Sequence, residues 1–235
     1  LNSMDPAKID AIAKGILGLL PKPTLEGTGA GGFSNNWSRR QTTDTRRNNF
    51  DGKVNLNRTN AHQMWFKMSY MYADVPDLWT FPAPEVGATV TRIYQPTFGQ
   101  TWVLSPTLTF DSTLGVSIMD QEAFAGDFPL GMVGTDVLGI PGTNAQGRTD
   151  VPRAHLYAGI PNITTGFSTI GTSANWTPQN RNEKTISFTN NLTKFAGRHE
   201  FRGGYTLFRS KLDHWQPERQ NPRGAIVVAT NATRM

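Results

Sequence analysis

The chain contains no cysteine, and it contains no apolar run of the length that a membrane-spanning helix requires. The first absence excludes disulfide bonds and thiolate metal sites, and the second excludes a transmembrane helix. Hydrophobic residues make up only 37% of the 235 residues, which is low for a packed globular core. Charged residues are also few, at 17%. Glycine, asparagine, threonine and proline fill the difference, and this composition favours strands and loops over helices.

The residues of catalytic and metal sites are also sparse. The four histidines, His62, His155, His199 and His214, lack the paired spacing of metal ligands. We expect His62 and His199 to be solvated, because both lie in short turn sequences. No Gly-x-Ser-x-Gly nucleophile motif is present. We therefore predict that the chain is not an enzyme and has neither a metal nor a cofactor. The net charge of +5 is dispersed along the chain, so we expect no nucleic-acid partner.

A single helix is predicted near the beginning of the chain, over residues 5–20. Asp5 is a suitable N-cap, Pro6 takes the first helical position, and Pro21 ends the segment. Between them, apolar residues recur at helical spacing, namely Ile9, Ile12, Ala13, Ile16, Leu17 and Leu20. A Gly-rich stretch follows and lacks the Lys-Ser/Thr pair of a phosphate-binding loop. We assign residues 1–47 to a segment made of this helix and a Gly-rich loop.

From about residue 48 onward, apolar residues recur at every second position, which is the period of a strand with two different faces. Short turn sequences at residues 58–62, 104–107 and 196–199 separate pairs of such strands. Much longer connections, residues 73–91 and 122–182, lie between the pairs. The pattern predicts about six antiparallel strands, several of them ten or more residues long.

Long strands with tight turns at one end and long loops at the other are typical of a transmembrane β-barrel. Aromatic residues near the predicted strand ends are suited to interfacial girdles, namely Trp65, Tyr70, Tyr72, Trp102 and Trp215. The sequence therefore predicts an all-β fold: residues 48–235 form a partial antiparallel outer-membrane β-barrel with a long exterior loop at 122–182. In the alternative, a soluble sandwich, the same apolar side chains would meet in a core.

Several strand and turn sequences resemble the barrel region of TonB-dependent outer-membrane receptors of the Oar-like type. The sequences that carry this resemblance are residues 49–54, 62–70, 104–108, 191–193 and 197–204, together with the helix that ends at Leu20 and Pro21. The resemblance spans nearly the whole chain, which corresponds to a minor, internal part of such a receptor. Trp65 and Phe66 depart from the family, which often has an aromatic residue followed by glycine there.

The resemblance implies a barrel of about 22 strands with a plugged lumen. In the family, a carboxypeptidase-regulatory-like domain and a plug precede the barrel, and TonB couples uptake to the inner-membrane proton gradient. The resemblance thus implies a bacterial outer-membrane protein, exterior loops that capture substrate, and a TonB contact through a region N-terminal to this chain. The chain begins without a signal-peptide pattern, so we expect a fragment of a longer precursor. A passive porin and a soluble β-rich binding or adhesion module are the alternatives.

Two groups of residues are candidate contact sites. Loop aromatics suited to stacking on a small-molecule, glycan or peptide substrate are Trp79, Phe81, Phe128, Tyr157, Phe167 and Trp176. Packing within the loops is the other use of such residues. Arginines before the first strand are predicted to bind lipopolysaccharide phosphates through charge-assisted hydrogen bonds, namely Arg39, Arg40, Arg46 and Arg47. Solvated loop charges are the other interpretation of these arginines.

Overall fold

A computed structural model describes residues 5–32, 34–40, 42, 44–77, 87–150, 153–165, 169–171, 177–217 and 221–228. One antiparallel sheet of six long strands dominates it, with the order β1-β2-β3-β4-β7-β8. The strands are β1 Arg46–Thr59, β2 His62–Asp77, β3 Gly87–Ser105, β4 Leu108–Phe124, β7 Gln179–Ala196 and β8 His199–Trp215. A small sheet with the order β6-β5-β9 combines β5 Asn162–Thr164, β6 Thr169–Ile170 and β9 Ala225–Val227. The predicted all-β class is confirmed.

The three predicted tight turns are confirmed. Each consists of two residues, and each joins neighbouring strands, at residues 60–61, 106–107 and 197–198. Gly197 has φ +61°, a left-handed conformation that glycine adopts without steric cost. Because the six strands are antiparallel and adjacent, all three turns lie at one end of the sheet. The strand ends that the longer connections join lie at the opposite end.

The strands extend further toward the long connections than the sequence predicted. β2 continues to Asp77 and β3 begins at Gly87, so most of the predicted loop 73–91 is strand. Likewise, β4 ends at Phe124 and β7 begins at Gln179, which shortens the predicted loop 122–182 at both ends. The apolar alternation is lost there because charged side chains, such as Arg92 and Asp120, replace apolar ones on the same face. Backbone pairing continues beyond the apolar part of the strands.

The helix is shorter than predicted and begins later. α1 spans Ala11–Leu19, and the Asp10 side chain caps it by accepting hydrogen bonds from the backbone N–H groups of Ile12 and Ala13 at 2.8 and 3.3 Å. Asp5 instead caps a separate 3-10 turn, Pro6–Lys8. Among the described residues, no helix combines the length and the hydropathy that crossing a membrane requires.

The register gives the sheet two chemically different faces. One row of paired residues crosses all six strands on the face that we call outward, and it is entirely apolar: Val54, Phe66, Phe98, Leu114, Phe188 and Leu207. The adjacent row on the opposite, inward face is mainly polar: Asn55, Trp65, Gly99, Thr113, Thr189 and Thr206. The six strands therefore form a single two-faced wall.

No second layer covers the outward face in the described parts of the chain. Val54 is 68% exposed, Leu114 is 40% exposed and Leu207 is 59% exposed. In a soluble sandwich these side chains would be buried against a facing sheet. The exposure of these side chains favours the membrane wall over the sandwich alternative for this sheet.

The height of the apolar band fits a bilayer. On β3 the band runs from Tyr94 to Leu104, about 33 Å along the strand at about 3.3 Å per residue. At the tilt of about 40° found in outer-membrane barrels, this length corresponds to a height of about 25 Å. This is the height of the outward-facing apolar band in such barrels.

A short polar row interrupts the band near the tight turns. Gln100, Ser112 and Asn190 are neighbours on β3, β4 and β7. The Nε2 atom of His62 lies 3.0 Å from Oε1 of Gln100, and the His62 ring stacks on Trp102 with centroids 5.0 Å apart. His62 is only 8% exposed, so the expectation of a solvated turn histidine was wrong. Its partners come from β3, which its position in sequence does not reveal.

The assignment of the two faces can be tested by placing an arginine, in separate variants, at each of two adjacent positions of β4. Leu114 lies outward near the middle of the band, whereas Thr113 lies inward opposite Gly99 and Thr189. We expect Leu114→Arg to lower the free energy of unfolding by about 2–4 kcal/mol, because lipid cannot solvate the guanidinium. Thr113→Arg should cost much less. Urea unfolding of the full-length protein in lipid vesicles measures both, and equal costs would contradict the assignment of faces.

Candidate functional site

A compact unit lies at the end of the sheet with the long connections. We call it the exterior unit, and it comprises α1, the described residues of 125–178 and residues 221–228. Its core combines Ile16 of α1 with Val133, Leu138, Ile160, Ile163 and Ile170. Ile163 and Ile170 are fully buried. The predicted long loop is therefore largely folded around apolar residues that show no regular period in the sequence.

A buried ion pair ties two distant parts of the exterior unit together. Arg223 Nη1 donates to both carboxylate oxygens of Asp127 at 2.7 and 2.8 Å. The side chains of Asp127 and Arg223 are 0% and 1% exposed. Asp127 also accepts a hydrogen bond from the backbone N–H of Ile160 at 2.7 Å. Burial lowers the pKa of the Arg223 guanidinium, and the adjacent carboxylate opposes this shift.

Two neighbours of the ion pair have positive φ angles, which residues other than glycine rarely adopt. Gly159 has φ +118°, and a Cβ atom there would lie 2.5 Å from Arg223 Nη1. Asn144 has φ +50° and is 3% exposed. Its amide accepts a hydrogen bond from the Gly134 N–H at 2.8 Å, and it donates to the carbonyls of Tyr157 and Gly159 at 2.7 and 2.9 Å. We call Asp127, Asn144 and Arg223 the clasp.

The inward face of the sheet forms a polar wall below the exterior unit. Its side chains bond to one another across strands. The Ser69 hydroxyl donates to Asp51 at 2.5 Å, the Thr101 hydroxyl donates to Asp111 at 2.6 Å, and Lys67 Nζ lies 3.1 Å from Asp51. A shallow depression of about 250 Å³ lies on this wall. Its lining includes Lys67, Ser69, Gln95, Thr97, Ser117, Thr185 and Ser187. The wall presents donors and acceptors to water, to a polar solute or to another protein segment.

Trp65 is the large aromatic exception on this wall. Its ring lies against Gly99, where a Cβ atom would be 2.3 Å from the indole. Lys53 Nζ lies 4.9 Å from the ring centroid. The predicted girdle position of Trp65 was wrong, because its register places it inward. Tyr70 and Trp102 do lie on the outward face.

The predicted loop aromatics have different surroundings. Trp79, Phe81, Phe167 and Trp176 lie outside the described residues. The Phe128 ring packs on Phe124 with centroids 5.1 Å apart. Tyr157 is 7% exposed, its ring lies 6.0 Å from that of Trp215, and burial raises the pKa of its phenol. Phe128 and Tyr157 thus contribute to packing, and ligand stacking by the six aromatics stays a prediction.

The four predicted lipopolysaccharide-binding arginines do not share one face. Arg39 and Arg40 lie exposed in the segment before β1. Arg46 and Arg47 are consecutive in β1 and therefore point to opposite faces. Arg46 lies outward opposite Asp74, whereas Arg47 lies inward with its Nε 3.4 Å from Asn49 Oδ1. A lipid contact by these arginines stays a prediction, and only Arg46 of the β1 pair faces the lipid side.

Removing one member of the clasp should open the exterior unit. Asp127→Ala leaves the Arg223 charge buried without a partner, so we expect it to lower the local stability by about 3–5 kcal/mol. Hydrogen exchange of the α1 and β5 amides in the full-length protein measures this. The control is Asp150→Ala, because Asp150 pairs with Arg148 at 2.6 Å on the surface, and this pairing holds the pKa of Asp150 below its usual range. Unchanged exchange in Asp127→Ala would show that the clasp does not hold the unit.

Comparison with known proteins agrees with the two-faced sheet. No curated protein and no solved structure matches the chain. One family profile, described as an outer membrane beta barrel domain, matches residues 1–235. The match covers the whole chain and supports the predicted location in the bacterial outer membrane. The chain belongs to the outer membrane beta barrel domain family.

Proposed function

We propose that the chain forms part of the wall and the substrate-capturing exterior of a TonB-dependent receptor for energised uptake. The observation that carries this proposal is the folded exterior unit, with its own core and buried clasp, at the long-connection end of a polar inward wall. Outer-membrane barrels have short periplasmic turns and long extracellular loops. The exterior unit therefore faces the outside of the cell, and the inward wall lies along the route of the substrate.

A pre-ordered exterior unit suits capture of a dilute ligand. Binding to mobile loops costs conformational entropy, because each loop residue loses freedom when the ligand arrives. In the exterior unit much of this cost is met during folding, since Ile16, Ile160 and Ile163 are buried in its core. The candidate ligands are those of the sequence analysis, a small molecule, a glycan or a peptide.

Further strands must complete the wall. Among the described strands, β1 and β8 each have one edge without a neighbour. Lipid cannot satisfy the backbone N–H and C=O groups of such an edge. We propose that the complete barrel has about 22 strands and a plug, as the sequence resemblance implies, and that the inward hydrogen-bonding wall faces this plug. The TonB contact then belongs to the region N-terminal to this chain.

The proposal can be tested on the full-length protein by three measurements. We expect it in the outer-membrane fraction, because the apolar row through Leu114 needs lipid. We expect no stable open channels in planar bilayers, since a plug occupies the lumen. We expect the purified protein to be retained on immobilised periplasmic domain of TonB.

Each alternative gives a different pattern. A passive porin would give stable open channels and would not be retained on TonB. A soluble binding or adhesion module would appear in the soluble periplasmic fraction. Either pattern would overturn the proposal.

A further inference from the structure

Three basic side chains lie together on the outward face. Lys184 of β7 pairs directly with Lys211 of β8, and Arg209 lies two residues from Lys211 on the same face. All three side chains are exposed, and none has a carboxylate within ion-pair distance in the described parts of the chain. We call Lys184, Arg209 and Lys211 the basic patch.

The basic patch lies where the apolar band ends on the exterior side. Ile186 and Leu207 of the band follow it directly toward the tight turns. The row that contains Lys184 continues through Ile118 of β4 to Tyr94 and Tyr70. The rings of Tyr70 and Tyr94 pack with centroids 4.9 Å apart. Tyr70 and Tyr94 thus end the apolar band on their own strands with the residue type typical of a membrane interface.

The arrangement is unfavourable without an anion. Like charges directly opposite each other on neighbouring strands repel, and their Cβ atoms lie only about 5 Å apart. The nearest outward carboxylate on β4, Asp120, is paired with Arg92 at 3.9 Å. Asp213 is two residues from Lys211 on β8 and has no ion pair within 4.0 Å among the described residues. Glu183 lies on the inward face, paired with Arg181 at 3.0 Å.

We propose that the basic patch binds the phosphate groups of a lipopolysaccharide molecule in the outer leaflet. A phosphate between Lys184 and Lys211 relieves their repulsion and accepts charge-assisted hydrogen bonds from both, while Arg209 provides a planar fork. The acyl chains then lie on the apolar row that contains Phe188 and Leu207. This inference rests on the membrane orientation in the proposed function. It assigns lipid binding to strand residues rather than to the arginines before β1.

The test compares two triple variants of the full-length protein in detergent. The first removes the basic patch by Lys184→Gln, Arg209→Gln and Lys211→Gln. The control removes three cations from the tight-turn end of the same hairpin by Lys194→Gln, Arg198→Gln and Arg202→Gln. The probes are purified lipopolysaccharide and the same glycolipid after removal of its phosphates. Heat-modifiable migration on gels shows whether each variant is folded, and cell fractionation tests the membrane location separately.

We expect the patch variant to lose at least ten-fold in lipopolysaccharide affinity and the control to stay within about two-fold, since each cation near an anionic headgroup contributes to binding. The dephosphorylated glycolipid should bind the wild type and the patch variant equally weakly. An unchanged affinity in the patch variant, an equal loss in the control, or tight binding of the dephosphorylated form would overturn the proposal. If the triple variant does not fold, the single variants Lys211→Gln and Lys211→Arg are compared instead. We expect lipopolysaccharide binding to be retained only in Lys211→Arg.

Discussion

The cross-strand register is the constraint on which the rest of the structure depends. Because paired residues lie on the same face, one alternating pattern in each strand builds a continuous apolar surface across all six. A shift of one residue in any pair would bring Phe98 or Leu114 to the polar side. The two-residue turns fix this register from one end of the sheet. The chemistry of both faces follows from it.

The exterior unit depends on the same sheet. Asp127 follows the end of β4 and Arg223 follows the end of β8, so the sheet brings their chain segments to one end although they are 96 residues apart in sequence. Burying both charges is tolerated because Arg223 Nη1 donates to both oxygens of Asp127 and the N–H of Ile160 adds a further hydrogen bond to this carboxylate. Arg223 Nε and Nη2 are buried without a hydrogen-bond partner among the described residues. The barrel wall thus determines where the exterior unit forms, and the clasp determines its internal arrangement.

The sequence predicted the features that local pattern controls. Alternation predicted the two faces, and short polar turns such as Gly197-Arg198 predicted the three hairpins. It did not predict the strand ends near Arg92, where pairing continues after the apolar face has ended. It also missed the clasp and the burial of His62, because those partners come from distant segments. No periodic signal exists for a contact between a residue after β4 and one after β8.

One face of the sheet touches lipid while the other does not, and two tryptophans report on this difference most directly. Trp102 lies on the outward face, and Trp65 lies on the inward face of the neighbouring strand. In full-length variants that keep one of the two as the only tryptophan, fluorescence in vesicles of brominated lipid measures contact with acyl chains. We expect strong quenching of Trp102 and little quenching of Trp65. Equal quenching of both, or quenching of Trp65 alone, would contradict this expectation.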